Sequence, residues 1–544
     1  MKRLATTAAV LSAAGLVLAG ALPVQARGGD GDHPHDGGHL PGGYKNLVVI
    51  YEENHSFDNL YGSWGRVGDQ RVDGLARAGV AKTTQVAQDG TPYACLLQND
   101  VNLTSPTPLA TTCTDASRHV PASHFTNTWW SINPYLSPTD TTCPAPGDFS
   151  HPNGVLKGAG SVGGCTRDLV HRFYQEQYQI DAGKQDRYVT GSDAVGLTMG
   201  TYDTTSLPIY TYLHSKGAPN YVIADRFFQA AFGGSFLNHQ FLIAGRAPED
   251  TGDPALAGNS VLDSNGMVKI YPLYAPTGPV KDGALTQKCT DPTVTADYVR
   301  ACGNLAVNTV QPSSPPASSF GAKIPLIDDA TYPNIGDRMS SAGVTWNWYS
   351  GGWDAAVAGT PGGNFQYHHQ PFNYFANYAP GTPGRTHLQD ETAFVAAAKN
   401  GTLPQVSFLK PYGDENEHPG YASEVHGSDH LVNLLRTITS GPQAEDTLVV
   451  VTYDEFGGQW DHVSPPRTDA WGPGTRVPAL VLSAGMQKSG VDSTTYDTTS
   501  ILATIEHSFD LKPLSARDAR VNDLSNAVRV GQPRRDEDAE HGDR

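Results

Sequence analysis

The chain is poor in sulfur. Its 544 residues include 6 cysteines and 5 methionines. No two cysteines stand in a C-x-x-C pair, which argues against thiolate-bound zinc. Basic residues are also scarce: 37 Lys and Arg face 55 Asp and Glu, a formal charge of −18. That balance disfavours a general binder of nucleic acid or of anionic membranes. It leaves room for an anionic substrate, because a bound cation can reverse the local field. Beyond the first two dozen residues no apolar run is long enough to span a bilayer.

The N-terminus carries the pattern of an export signal. Lys2 and Arg3 precede an Ala/Leu/Val-rich stretch that runs to about Leu22, and Val24-Gln25-Ala26 fits a small-x-small cleavage site. Residues 1–26 therefore read as a secretory signal peptide; a membrane anchor is the alternative, disfavoured by a short, Ala-rich core. With no twin-arginine pair, the general export route is expected. Cleavage leaves 35 basic against 55 acidic residues, a charge of −20, on a secreted or extracytoplasmic protein. All six cysteines survive it, and an even count in an exported chain suggests disulfides. Their order suggests neighbour bridges, Cys95–Cys113, Cys143–Cys165 and Cys289–Cys302, each closing a polar loop.

Residues 27–43 are rich in Gly, Asp and His and read as a flexible leader. A catalytic domain is expected over 44–530, with loop-rich insertions near 85–165 and 250–320 and a charged, disordered tail over 531–544. Helical spacing is expected over 167–183, 207–217, 426–439 and 499–509. Strand signals fall at 47–50, 221–228, 344–349, 406–409, 447–453 and 477–482. Strands alternating with helices imply an α/β fold: a mainly parallel central sheet with helices on both faces.

Two strand ends carry acids. NLVVIYEENHSFDNLYG (Asn46–Gly62) passes from an apolar run into Glu52, Glu53 and Asn54. TLVVVTYDEFGGQWDHVSPP (Thr447–Pro466) passes from an apolar run into Asp454-Glu455, then glycines, then Asp461-His462. Hard oxygen ligands at the C-terminal ends of central strands lie where open α/β folds place metal and ligand sites. Solvated turn carboxylates are the plainer alternative for either segment alone. A third stretch, FFQAAFGGSFLNHQFLIAG (Phe227–Gly245), sets Gly233-Gly234 before Ser235 at the start of a helical pattern. Ser235 is either a helix N-cap or a nucleophile activated by a metal; it is not in a G-x-S-x-G elbow. Histidines gather near acids and amides: His171, His368, His369, His418, His426, His430 and His462. Imidazole can ligate metal, donate to phosphate or act as a general acid.

The segments EENHSFDNLYG, HRFYQEQYQIDAGKQDRYV, FGGSFLNHQ, FQYHHQPFNYF, ENEHPGYA and YDEFGGQWDHVSPP occur in consistent order over 44–530. In them the chain resembles the bacterial phosphoesterase family of secreted acid phosphatases and phosphocholine-type phospholipases C, within the alkaline phosphatase-like superfamily. The resemblance implies an alkaline phosphatase-like fold. It implies that Glu53, Asn54, Asp454 and Glu455 hold a divalent metal ion (Ca, Mg, Mn, Fe or Zn) beside Ser235. It makes Ser235 the nucleophile, and sets Asn238, His171, His369 and His418 toward the phosphoryl oxygens or into proton transfer. His368, Asp461 and His462 are additional candidates without separate roles.

Gly-Gly-Ser with Asn238-His239 is closer to the acid phosphatase branch, so hydrolysis of phosphomonoesters through a phosphoserine is the first expectation. Phospholipase C-type cleavage of phosphodiesters in phospholipid head groups is the alternative, and a secreted binding protein that retains the fold is a remote one. A sulfatase is disfavoured, because Ser235 lacks a C-x-P-x-R or S-x-P-x-R context. The partners expected are thus a small phosphate ester, with phospholipid as the alternative, and neither nucleic acid nor an integral membrane segment after signal removal. The aromatic segments Thr126–Ser131 and Thr345–Trp353 either line a pocket or pack the core.

Overall fold

Eight strands form the central sheet. Numbered along the chain they are β1 (Asn46–Glu52), β2 (Asn220–Ala224), β3 (Trp346–Ser350), β4 (Leu388–Asp390), β5 (Val406–Lys410), β6 (Thr447–Tyr453), β7 (Ala479–Ser483) and β8 (Gly490–Asp492). In this computed structural model, which describes residues 39–98, 101–104, 109–116, 120–148, 155–248 and 327–532, their order is β4-β3-β5-β1-β6-β7-β2-β8. Neighbours run parallel except around β7, which is antiparallel to β6 and to β2.

Parallel strands are buried on both faces and so read as unbroken apolar runs. β1 and β6 are buried at every residue. They lie side by side, with Ile50 opposite Val451 and Glu52 opposite Tyr453. β5 flanks β1 on its other edge, with Ile50 opposite Leu409. Three central strands thus end together, and the residues just beyond them are delivered to one place.

Alternation along β1 sends Tyr51 to one face and Glu52 to the other. The Tyr51 hydroxyl meets the Asn238 carbonyl of the Ser235–Ala244 helix at 3.4 Å, and the Thr499–Ser508 helix packs against that helix. On the opposite face, Tyr453, in register with Glu52, hydrogen-bonds Glu417. Glu417 leads into the Glu424–Thr439 helix, which packs on Pro208–Leu213 and Glu391–Asn400.

Several sequence expectations shift at their edges. The 167–183 helix is confined to Phe173–Ile180. Residues before it are held by Asp193 instead: its carboxylate accepts from the Val170 amide at 2.9 Å and pairs with Arg167 at 3.0 Å. The leader reading stops short of residue 43. Leu40 is 2% exposed within the main core, and Pro41–Gly43 forms a short 3-10 turn. The apolar contact of Leu40 fixes the chain before Tyr44. Residues 1–38, the 250–320 insertion, the Cys289–Cys302 bridge and the 533–544 tail lie outside the described residues. Bridges Cys95–Cys113 and Cys143–Cys165 are both formed. Residues 85–165 contain short elements, including the Cys113–Asp115/Val120–Ser123 ladder. Beneath this stretch, Tyr93, Leu96 and Phe125 share a second apolar cluster with Phe456 and Trp460.

The Thr345–Trp353 aromatics pack in the core, whereas the Thr126–Ser131 segment does both: Trp129 and Ser131 border a cavity shared with Gly62, Thr201 and Tyr202, and Trp130 packs. Trp130 stacks on Phe125, Trp346 on His387 and Trp348 on Phe408. The Trp348 indole also donates to the His369 carbonyl at 2.9 Å.

One buried ionic knot ties the two strand-end motifs. Arg476, fully buried, pairs through Nη2 with Asp58 Oδ1 and Asp461 Oδ2, both at 3.1 Å. Its Nη1 donates to the Asp73 and Asp225 carbonyls at 2.6 and 2.8 Å. His462 pairs with Asp58 through Nδ1, and its Nε2 lies 3.4 Å from Asp73. Replacing one member of a buried pair leaves an uncompensated charge and costs about 3–5 kcal/mol. Arg476→Met is therefore expected to lower unfolding stability by about that amount in urea titrations. A loss under about 1 kcal/mol would show that the knot is energetically neutral.

Candidate active site

The residues beyond β1, β5 and β6 converge on the first turn of the Ser235–Ala244 helix. The backbone of Asn54 turns left-handed (φ 58°) as β1 ends, and its amide donates to Asp454 Oδ1 at 3.2 Å. The same oxygen accepts the Glu455 amide at 2.8 Å. Gly457, at φ 61°, packs against this turn so closely that a Cβ would stand 2.2 Å from the Asn54 carbonyl oxygen. The two motifs, 400 residues apart, are thus stitched backbone to side chain.

Ser235 is the first residue of its helix; the N-cap is Gly234, which has no side chain to offer. The capping role for Ser235 is overturned. Its Oγ instead stands 3.3 Å from Glu53 Oε2, 3.4 Å from Asn54 Oδ1 and 3.4 Å from Glu455 Oε1. Ser235 is 2% exposed, and Glu53, Asn54, Asp454 and Glu455 are fully buried.

Such a concentration of acid needs a counter-charge. Lys410, the last residue of β5, is fully buried. It places Nζ 2.5 Å from Glu53 Oε1 and 3.0 Å from the Glu52 carbonyl oxygen. His369 Nε2 lies 2.8 Å from the same Glu53 oxygen. Burial alone would raise the Glu53 pKa, but Lys410 and His369, with His418, hold it well below the ordinary range. Asp454 and Glu455 have only histidines nearby, His239 at 3.8 Å and His171 at 3.4 Å. Burial, then Glu53, pushes Asp454 up to about 8; burial, then Asp454, pushes Glu455 well above normal.

Two histidines face the same spot. His418 Nδ1 is bound to the Pro419 carbonyl at 2.6 Å, and His171 Nδ1 to that of Leu169. These bonds place the proton on Nδ1 in the neutral rings and leave Nε2 turned inward. His418 Nε2 lies 2.8 Å from Asn54 Nδ2; His171 Nε2 lies 3.4 Å from Glu455 Oε1. His239, one helical turn beyond Ser235, bonds the Ser235 carbonyl through Nδ1 at 2.8 Å and stacks on His369. His368 is buried beside them, near enough to group with Glu53 and His369 as a candidate cation site.

The donor set fits a divalent cation. Three carboxylates, an amide oxygen and a hydroxyl face one another with Lys410 as the fixed positive charge, and such hard oxygens suit Mg, Ca, Mn, Fe or Zn. Two buried atoms, Asp454 Oδ2 and His239 Nε2, have no well-formed hydrogen bond. Glu53, His239 and Asp454 offer ligand atoms within 4.8 Å of one another.

A family model described as the phosphoesterase family matches residues 44–512. The chain belongs to that family. Among its curated relatives, the non-hemolytic phospholipase C of Burkholderia pseudomallei is 30% identical over 230 residues, covering 33% of this chain and 32% of the relative. This chain thus aligns with about a third of that protein's length. Phospholipase C B of Mycobacterium tuberculosis is 23% identical over 567 residues, covering 97% of this chain and 84% of the relative. Among solved structures, a protein in the alkaline phosphatase superfamily from Vibrio parahaemolyticus superposes with a TM-score of 0.22 at 15% identity, covering 34% of this chain and 50% of the other.

Against the residues expected from sequence, Glu53, Asn54, Asp454, Glu455, Ser235, His171, His369 and His418 come together, with His368 behind. Asn238 does not face that space. Its Nδ2 is within hydrogen-bond reach of the Ala231, Gly233 and Gly234 carbonyls, and its Oδ1 accepts from the Ala231 amide, so it braces the turn before Ser235. Asp461 and His462 belong to the Arg476 knot instead, because the guanidinium binds both Asp58 and Asp461. Glu52 faces the far side of the sheet with Glu417. Lys410 and His239 had no role in the sequence reading. Lys410 carried a readable signal, a charge closing an apolar strand; His239 carried a weaker one, its i+4 spacing from Ser235.

The raised pKa of Asp454 fixes a sign. Its unfolded value is near 3.9, so folding stability from this group is full below about pH 4 and is lost as pH rises through about 8. Metal-stripped protein is expected to melt at lower temperature as pH goes from 5 to 8. Adding a divalent cation should largely remove that slope, and Asp454→Asn should flatten it without metal. An unchanged slope in Asp454→Asn would assign the effect elsewhere.

Proposed function

We propose that the chain is an exported, cation-dependent phosphoesterase that cleaves phosphodiesters of the phospholipid class, with Ser235 as nucleophile. The observation that carries this reading is the placement of Ser235 Oγ at 3.3–3.4 Å from Glu53, Asn54 and Glu455. Residues 1–26 and the two bridges support export to an oxidising compartment. The relatives shift the substrate reading: phospholipases C weigh toward the diester alternative over the phosphomonoester first expected.

Glu53, Asn54, Asp454 and Glu455 would hold the cation, with Ser235 Oγ beside it. Once bound, that cation supplies Lewis-acid charge that lowers the hydroxyl pKa and offsets the negative phosphoryl oxygens. Ser235 Oγ attacks phosphorus in line, its proton passing to a neighbouring carboxylate oxygen. The bond to the glycerol oxygen breaks, and His418, entering the cycle as the imidazolium with Nδ1–H held by Pro419, gives its Nε2 proton to that oxygen as the diacylglycerol leaves and regains one from the water of the second step. The backbone amides at the start of the Ser235–Ala244 helix supply donors to the equatorial oxygens, and His171 adds one only when Nε2 is also protonated. Water then splits the phosphoserine, releasing the phosphorylated head group and restoring the hydroxyl.

Ser235→Ala is expected to lose at least 10³-fold in kcat while keeping bound metal and a normal melt. Substrates are a phosphatidylcholine dispersion and an aryl phosphomonoester, each with and without chelator. Chelator-sensitive diester turnover should dominate. A dominant monoester rate would return the chain to the phosphatase reading, and normal turnover by folded Ser235→Ala would remove the nucleophile assignment.

A further inference from the structure

Glu176 sits within the Phe173–Ile180 helix, fully buried, outside the charge cluster around Ser235. Its carboxylate is surrounded by donors. Oε2 accepts from the Gly233 amide at 2.6 Å and from Gln229 Nε2 at 2.9 Å; Oε1 accepts from the Thr475 amide at 2.6 Å. Both oxygens are engaged by N–H groups, bonds that oppose the burial pushing its pKa up to about 8, and an amide in its place would turn an NH2 against one of these donors.

Gln229 extends the bracket. Its Nε2 also reaches the Ala231 and Gly233 carbonyls at 2.7 and 3.1 Å, and its Oε1 accepts from the Phe456 amide at 2.9 Å. Packing here has no slack. Gly233 takes φ +89°, and a Cβ on it would stand 2.5 Å from the Phe173 nitrogen. A Cβ on Gly474 would stand 2.5 Å from Glu176 Oε1. The turn entering Ser235 and the segment at Thr475 therefore meet the helix following His171 at one carboxylate, and Gln229 joins the corner after Glu455 to them.

We infer that Glu176 is a positioning residue for the Ser235 nucleophile. It holds the Gln229–Gly234 turn at the height that sets Ser235 Oγ against Glu53 Oε2 and Glu455 Oε1. It touches neither the substrate nor the reacting atoms. The inference rests on the reading of Ser235 as nucleophile. A misplacement of about 1 Å at a reacting atom costs on the order of 100-fold in rate.

The test compares Glu176→Gln, Gly474→Ala and Ser235→Ala in the full chain with an aryl phosphocholine diester, measuring kcat, KM, bound metal and melting. Glu176→Gln should fold, keep its metal and its KM within about twofold, and lose about 100-fold in kcat. Gly474→Ala, which presses on the carboxyl group without replacing it, should lose kcat in the same pattern; it decides the matter if Glu176→Gln fails to fold. Wild-type kcat in the folded variants would overturn the inference. So would a loss confined to KM or matched by lost metal. Turnover by Ser235→Ala would overturn the nucleophile reading and this inference with it. An inactive Ser235→Ala beside a fully active Glu176→Gln would overturn the inference alone.

Discussion

The site depends on burying several carboxylates where three parallel strands end. Taking a carboxylate out of water costs several kcal/mol unless it is paired. Lys410, itself without solvent contact, offsets that cost for Glu53 and so fixes the use of both its oxygens. Oε1 is taken by Lys410 and His369; Oε2 is left to Ser235. Asp454 and Glu455 have no lysine or arginine paired with them among the described residues, and burial first, then repulsion from neighbouring carboxylates, raises their pKa values. Protons on Asp454 and Glu455 offset that excess of acid, and under the proposed function a divalent cation would take their place.

Sheet register explains why residues so distant in sequence can share this burden. β1 lies between β5 and β6, so Glu53, Lys410 and Asp454 follow adjacent parallel strands and need no long reach. The alternation of the pleat does the sorting. Glu52 is sent to the far face with Glu417 while Glu53 turns toward Ser235, although the sequence offers two acids side by side. Below the site, the Arg476 knot joins Asp58 of the first motif to Asp461 of the last. It satisfies its charges internally, unlike the cluster above it.

Much of this was legible in the chain. The unbroken apolar runs at 47–50 and 447–453 marked two central strands, and the acids that follow them marked the carboxylates that gather around Ser235. Ser235 was ambiguous, because a serine behind two glycines has the same local pattern as cap or nucleophile; Gly234 proved to be the cap. The 167–172 segment read as helix because its apolar spacing continues that of 173–180. The competing bond from the Val170 amide to Asp193 comes from a residue no periodicity reveals. Asn238, expected toward the phosphoryl oxygens, and Asp461, a candidate without a separate role, are placed elsewhere for the same reason. Their side chains are spent on a backbone turn and on Arg476, partners that only the folded chain brings within reach.

Preorganisation accounts for how sparse polar chemistry can suffice. The tautomers of His171 and His418 are set by backbone carbonyls, the His369 carbonyl is held by the Trp348 indole, and the turn into Ser235 is held by Asn238 and Glu176. Each of these partners lies outside the reacting centre and is buried. Little is therefore left to reorganise, and under the proposed function that is where electrostatic catalysis of a charged ester would gain most. In a chain of net charge −18, attraction at long range works against an anionic substrate. Recognition must come from donors and positive charge at short range, inside the cluster that Lys410 makes possible.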